Sequence, residues 1–275
     1  VRLITILKNL YSAPSPLPFW KRLTRFLRWQ FLQKYRTTAF QFALPDGAKM
    51  ILNKGEHGAS GFYYFGYPDY EEISFLKYII KEGDFFIDVG ANSGGWSLSA
   101  FGMGASVIAI EPVTSTYQRL SRNFSINNSN KLKAYQLCIG ETPGSIRIST
   151  SFDTSNRIVG DDYLESYEIV EVNRLDSVLQ NSNPAVIKID VEGYELNVLK
   201  GANDTLSKPS LKALIIETFR WANYAQANLQ EIESLLHAYK FLPVQFDPSS
   251  NKARRLAGKE GSQNTIYLRQ DLLSV

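Results

Sequence analysis

The chain has 275 residues, 44% hydrophobic and 21% charged, which suits one large α/β domain or two small ones. A formal net charge of +3 offers no broad track for nucleic acid, and no apolar run reaches the roughly 20 residues that span a bilayer. Cys138 is the single cysteine, so no intrachain disulfide forms, and with His57 and His237 far apart no Cys/His zinc set is present.

A reducing, cytoplasmic setting is therefore expected. The apolar stretch over 1–10 is short, lacks a clear small-residue cleavage site and is not read as a signal peptide.

In chain order, the first element is a basic helix over 19–35. From Trp20 to Arg36 the chain carries Lys21, Arg22, Arg25, Arg28, Lys34 and Arg36 and no acidic residue. Phe19, Leu23, Phe26, Leu27 and Gln30 share one helical face, with Phe31 nearby. Such a helix packs on the main domain or a second subunit, or lies on an anionic membrane surface. Peripheral contact through residues 19–36, at the inner membrane surface, is one expectation.

A strand pair over 39–43 and 49–52 follows, then an aromatic, glycine-rich loop over 58–70 and a helix over 71–81. Tyr63, Tyr64, Phe65, Tyr67 and Tyr70 read as a hydrophobic plug in preference to a lid, because adjacent aromatics are hard to leave exposed. Residues 1–70 thus form a basic α/β N-terminal segment, and 71–275 the main domain.

After Gly83 the chain alternates between short β-rich runs and helical runs, the pattern of a parallel sheet with crossover helices. Strands are predicted over 84–89, 106–111, 132–139, 185–190, 211–217, 241–246 and 264–269. Helices are predicted over 97–102, 115–126, 194–205 and 229–239. Between 144 and 172 the alternation lapses into an insertion or β-hairpin, with β-like pieces at 145–150 and 167–172, and a short helix over 175–179 follows. The last two strands are joined by a loop bearing Lys252, Arg254, Arg255 and Lys259. Their closeness predicts an antiparallel edge on a mostly parallel sheet.

The strongest local signal runs from Phe85 through Asp88-Val89-Gly90-Ala91-Asn92-Ser93-Gly94-Gly95 to Trp96. An apolar strand delivers an aspartate, then glycines turn the chain into a helix whose free N–H groups face a ligand. Glu111 ends the next strand and can accept hydrogen bonds from both hydroxyls of a ribose. That pairing serves dinucleotides and S-adenosylmethionine alike. The turn separates them: Asn92 stands where a dinucleotide fingerprint has its second glycine, and Asp88 would sit beside a pyrophosphate. A cofactor carrying an ammonium and a sulfonium suits that acid better. The alternatives are an NAD-dependent oxidoreductase on the same frame, or a cofactor-binding protein without turnover.

Here the sequence resembles the FkbM-type family of S-adenosylmethionine-dependent methyltransferases, over roughly residues 70–269. The resemblance rests on Asp88-Val89-Gly90-Ala91-Asn92, Ala109-Ile110-Glu111-Pro112, Leu175-Asp176-Ser177-Val178 and Ile187-Lys188-Ile189-Asp190-Val191-Glu192-Gly193-Tyr194-Glu195. Val198-Leu199-Lys200-Gly201-Ala202 and Ile215-Ile216-Glu217 continue it. It implies a class I methyltransferase fold, a Rossmann-like α/β sheet with an antiparallel C-terminal edge strand. It also implies O-methylation of a hydroxyl on a sugar, glycan or secondary metabolite.

Carried across, Asp88, Gly90, Asn92 and Gly94 would hold the methionine portion, Glu111 the ribose, and the stretch with Cys138 and Ile139 the adenine. Cys138 reads as a packing residue rather than a thiol nucleophile. Asp190, Glu192 and Glu217 are the catalytic candidates, since a hydroxyl acceptor must lose its proton and no histidine reaches these strand ends. Asp190 binds the cofactor's amino group or approaches the acceptor. Glu192 acts as base or caps the helix near Gly193; Glu217 orients the acceptor with Arg220 and Trp221, or simply meets solvent. Their spacing requires no metal, and none is expected. Asp153, Asn156 and Arg157 form a further candidate acceptor loop.

Overall fold

The computed structural model describes residues 8–35, 39–151, 156–218, 225–256 and 263–273. Its centre is set by four strands with almost no exposed position: β3 (Phe85–Val89), β4 (Ser106–Ile110), β9 (Pro184–Ile189) and β10 (Ala213–Glu217). Continuous apolar runs of this kind suit strands covered on both faces, and these four pair in parallel in the order β10-β9-β3-β4. Successive side chains point to opposite faces. Phe86, Val107, Val186 and Ile215 accordingly enter one core, and their neighbours Ile87, Ile108, Ile187 and Ile216 enter another.

Helices cover both faces. On one side lie α3 (Tyr70–Ile79), α4 (Gly95–Gly102) and α5 (Thr114–Ser125), through Phe75, Leu98 and Leu120. On the other lie α6 (Leu175–Leu179), α7 (Glu195–Lys200), α8 (Asn203–Leu206) and α9 (Ala225–Ala238), through Leu175, Leu196, Leu206 and Ile232 or Leu236. The sheet is completed by β5 (Leu132–Tyr135) beyond β4 and by β13 (Asn264–Arg269), β11 (Phe241–Asp247) and β12 (Lys252–Arg255) beyond β10. β13 is antiparallel to both β10 and β11, the antiparallel edge expected from the sequence. The result is a Rossmann-like, mostly parallel α/β sheet with antiparallel C-terminal strands.

Four details differ from the sequence reading. The aromatic loop expected over 58–70 holds a helix, α2 (His57–Phe65), although Gly58 and Gly61 each weaken a helix by about 1 kcal/mol. Packing overrides that preference, because Phe62 and Tyr63 are buried in the first core. The plug reading holds for Tyr63 and Tyr67, which are buried.

The single strand expected over 132–139 breaks after Tyr135. β6 (Cys138–Ile139) leaves the main sheet and joins a small sheet with β8 (Tyr167–Asn173) and β7 (Gly144–Ser149). The β7–β8 pair is the antiparallel hairpin anticipated there. The helix expected over 194–205 divides at Gly201. A Cβ on Gly201 would lie 2.1 Å from the Gly140 carbonyl oxygen, and Asp176 accepts the Thr205 amide (2.9 Å), which starts α8 afresh. Finally, the loop bearing Lys252, Arg254 and Arg255 contains the edge strand β12; Lys259 lies outside the described residues.

At the N-terminal side, α1 (Phe19–Tyr35) precedes the antiparallel pair β1 (Phe40–Ala43) and β2 (Lys49–Leu52). Two asparagines of the α5 region satisfy backbone amides of β2. Asn127 Oδ1 accepts from Lys49 and Asn123 Oδ1 from Ile51, both at 2.8 Å.

Candidate active site

The carboxyl ends of β3, β4, β9 and β10 open on one cavity of about 390 Å3, within the size range of small-molecule sites. Asp88, Gly90, Asn92, Glu111, Cys138, Ile139, Asp190, Glu192 and Glu217 all line it. Gly94 does not. Its φ is +90° and a Cβ there would lie 2.7 Å from Leu120, so it serves the turn and its packing.

The strand ends are laced together by backbone. The amides of Gly90 and Ala91 donate to the Ile110 carbonyl (2.9 and 3.0 Å), and the Asp190 amide donates to Val89 (2.9 Å). Gly90 has φ +83°, and a Cβ would lie 1.8 Å from the Asp190 carbonyl oxygen. Only glycine permits that approach.

Glu111 braces the turn. Its Oε2 accepts the Asn92 amide (2.9 Å) and its Oε1 the Val113 amide (3.1 Å), which leaves each oxygen a further lone pair. Burial pushes its carboxyl up to about 7, despite those two bonds. Asn92 adopts φ 51°, a conformation asparagine tolerates better than most residues.

Asp88 is buried. Its Oδ2 accepts from Ser97 Oγ at 2.6 Å, while among the described residues Oδ1 has no hydrogen-bond partner. Burial holds its carboxyl above the usual range. A buried oxygen without a partner costs free energy, so this atom suits a donor or cation supplied from the cavity.

Lys188 is the central residue that sequence reasoning missed. It is 2% exposed, its Nζ donates to Asp190 Oδ2 at 2.7 Å, and it stands 5.3 Å from the Trp96 ring centroid. Burial disfavours its charge, but Asp190, Asp88 and Asp69 outweigh that and hold the ammonium above its ordinary value. Trp96 Nε1 donates to Asp69 Oδ2 at 3.1 Å, and burial raises the Asp69 carboxyl. The available signal was a lysine inside the otherwise apolar strand Pro184–Ile189. Asp69 and Asn264, which also line the cavity, lie far from the glycine turn in sequence and gave no local signal.

Carboxylate oxygens of Asp190, Glu192 and Glu217 lie within 4.8 Å of one another. One of them, Asp190, is ion-paired with Lys188. At the following helix start, Glu195 accepts the amides of Gly193 (3.0 Å) and Val191 (3.3 Å), bonds of the capping kind that was one of two readings of Glu192. Glu192 itself has φ 55° and is followed by Gly193 at φ 104°, a tight turn at the cavity wall.

Burial raises the Cys138 thiol to about 12, with Glu111 adding to the shift, which removes thiolate chemistry at neutral pH. Asn156 and Arg157 line the cavity; Asp153, Arg220 and Trp221 lie outside the described residues.

The model of the FkbM methyltransferase domain matches residues 88–243. Hexuronic acid methyltransferase AglP of Haloferax volcanii is 29% identical over 150 residues, 50% of this chain and 56% of that protein. Methyltransferase 1 of Beauveria bassiana is 26% identical over 149 residues, 45% of this chain and 60% of that protein. The chain therefore spans less than two thirds of the length of these curated relatives. Among solved structures, methyltransferase FkbM from Methylobacillus flagellatus KT matches with a TM-score of 0.47 at 19% identity, over 76% of this chain and 52% of that one. Since the family match runs through Asp88, Glu111, Asp190 and Glu217 and covers more than half of the sequence, the chain belongs to the FkbM methyltransferase family.

Proposed function

We propose that the protein transfers a methyl group from S-adenosylmethionine to a hydroxyl of a small molecule or glycan. The observation that carries this reading is Asp88 Oδ1, a buried carboxylate oxygen without a partner among the described residues, in a cavity that also holds Glu111 and the apolar stretch Leu137–Ile139. These groups fit the cofactor. Asp88, with the backbone around Gly90 and Asn92, would hold the methionine ammonium, Glu111 the ribose hydroxyls, and Leu137, Cys138 and Ile139 the adenine. When bound, S-adenosylmethionine supplies an electrophilic methyl carbon on a positively charged sulfur.

The remaining work falls to the chain. Lys188 holds Asp190 in place, so Asp190 positions cofactor or acceptor. Glu192 or Glu217, on the same cavity wall, would receive the proton that the acceptor hydroxyl loses. Alignment of acceptor oxygen with the methyl carbon lowers the barrier further. The sugar-directed name of one relative supports the glycan class.

Calorimetric titration with S-adenosylmethionine, with NAD as comparison and Asp88→Ala as control, tests the cofactor. Saturable binding of the methyl donor, lost in the variant and absent for NAD, is expected. Preference for NAD would move the protein to the oxidoreductases. A screen of hydroxylated acceptors then tests the reaction, in which Glu192→Gln or Glu217→Gln should lower kcat by about 100-fold or more, as for loss of a general base. Turnover untouched by either change would remove both from the mechanism.

A further inference from the structure

Helix α1 carries two apolar faces, and the fold uses one. Phe26 and Trp29 are buried, and Arg25 donates to the Tyr63 carbonyl of α2 at 2.9 Å. On the other side, Trp20, Leu27, Phe31 and Tyr35 are 72%, 56%, 58% and 63% exposed. With 3.6 residues per turn these four fall within an arc of about 80°. Lys34 flanks the arc on one side and Arg28 and Lys21 on the other, all three exposed. No acidic residue occurs in the helix. The face assigned from sequence, with Phe26 and Leu27 together, is thus divided between interior and surface.

A patch of three aromatics and a leucine is unusual on a free surface, and its chemistry chooses among occupants. Protein interface cores are depleted of lysine. A second copy docked symmetrically on this face would bring Lys21, Arg28 and Lys34 against themselves, with no acid in the helix to pair them. An anionic lipid surface satisfies both parts. Tryptophan and tyrosine settle at the headgroup level, leucine and phenylalanine enter the acyl boundary, and flanking lysines and arginines meet the negative surface.

We propose that this face of α1 binds an anionic lipid bilayer, with the helix lying in the headgroup layer. The proposed contact is peripheral; among the described residues no helix is long and apolar enough to cross a membrane. α1 rests on α2, whose Gly58, Gly61 and Phe62 line the cavity. Docking would therefore bring to the membrane the pair of helices whose inner member walls the cavity.

The test is sedimentation of the full chain with vesicles of phosphatidylcholine alone or mixed with phosphatidylglycerol, at low and high salt. Binding to the anionic vesicles is expected to exceed that to neutral ones by about tenfold or more, and to weaken with salt. Trp20→Ser/Leu27→Ser/Phe31→Ser should lose about tenfold or more of it. Lys21→Gln/Arg28→Gln/Lys34→Gln should lose on the order of 100-fold, taking about 1 kcal/mol for each charge.

Because every substituted residue is exposed, cofactor titration should stay unchanged, and thermal stability should fall only by the contact of Arg28 with the Phe40 ring (5.5 Å), which separates lost docking from lost folding. Absence of vesicle binding, equal binding to both vesicle types, or unchanged binding of the apolar triple variant would overturn the proposal. So would self-association that the same variant abolishes without any vesicle binding, an outcome that assigns the face to a second copy.

Discussion

Glu111 accepts two backbone amides and is nearly inaccessible, so its protonation is tied to folding. Its carboxyl titrates near 4.5 when unperturbed and is raised to about 7 in the fold by burial. The folded state therefore keeps a proton that the unfolded chain has released between those values. The stabilisation is fully present below about 4.5 and is lost as pH rises through about 7, a swing on the order of 3 kcal/mol. In Glu111→Gln this component vanishes. Urea denaturation across that window should show a flatter profile for the variant, and parallel profiles would refute the assignment.

Lys188 makes a second residue-scale prediction. Lys188→Met leaves Asp190 and Asp88 without their cation. A cost of about 3 kcal/mol is expected, the low end for breaking a buried pair, because Asp190 keeps 34% of its side chain exposed. A merely structural lysine would alter stability alone. The positioning role also predicts that cofactor affinity at neutral pH falls and recovers as pH rises, because acids without a cationic neighbour hold their protons longer.

Between elements, the decisive contact is the approach of the β3 turn to the end of β9. Gly90→Ala adds a Cβ 1.8 Å from the Asp190 carbonyl oxygen and forces a positive φ, and about 4 kcal/mol or more is expected to be lost. Gly83 gives the control. It has a similar φ of +86° but nothing within 4 Å of its Cβ position, so Gly83→Ala should cost only about 1–2 kcal/mol. Equal midpoints for the two variants in chemical denaturation would show that strain, not the clash, governs both. The glycine turn was legible in the sequence as a turn. That its glycine abuts Asp190 was not, since 100 positions separate Gly90 from Asp190 and only the parallel pairing of β3 with β9 brings them together.

At the scale of the whole molecule, Trp29, Phe42 and Met50 share one buried cluster with Phe86, Leu98 and Val107 of the sheet layer. A common core predicts a single cooperative unfolding transition. Trp29→Ala should shift that transition as a whole, by about 3–5 kcal/mol for a buried tryptophan. Far-ultraviolet dichroism and cofactor binding followed along the same denaturant series provide the check. An early N-terminal transition that leaves the sheet and binding intact would show that the shared cluster does not couple them. At the opposite edge, β12 presents exposed Lys252, Arg254 and Arg255, charges that discourage pairing with a further strand.

The sequence by itself determined the alternation of strands and helices, the acids at the ends of β3, β4, β9 and β10, and the family. Those features live in short windows, where a buried parallel strand is a continuous apolar run and a turn toward a ligand is glycine after an acid. Tertiary structure alone decided which side chains keep company. It turned 57–65 into a helix against local preference and sent β6 to a second sheet. It set Lys188 among Asp69, Asp88 and Asp190, and it left one apolar face of α1 exposed. The physical reason is that a helix or strand specifies its own period, whereas the partner of each face comes from segments far away in the chain.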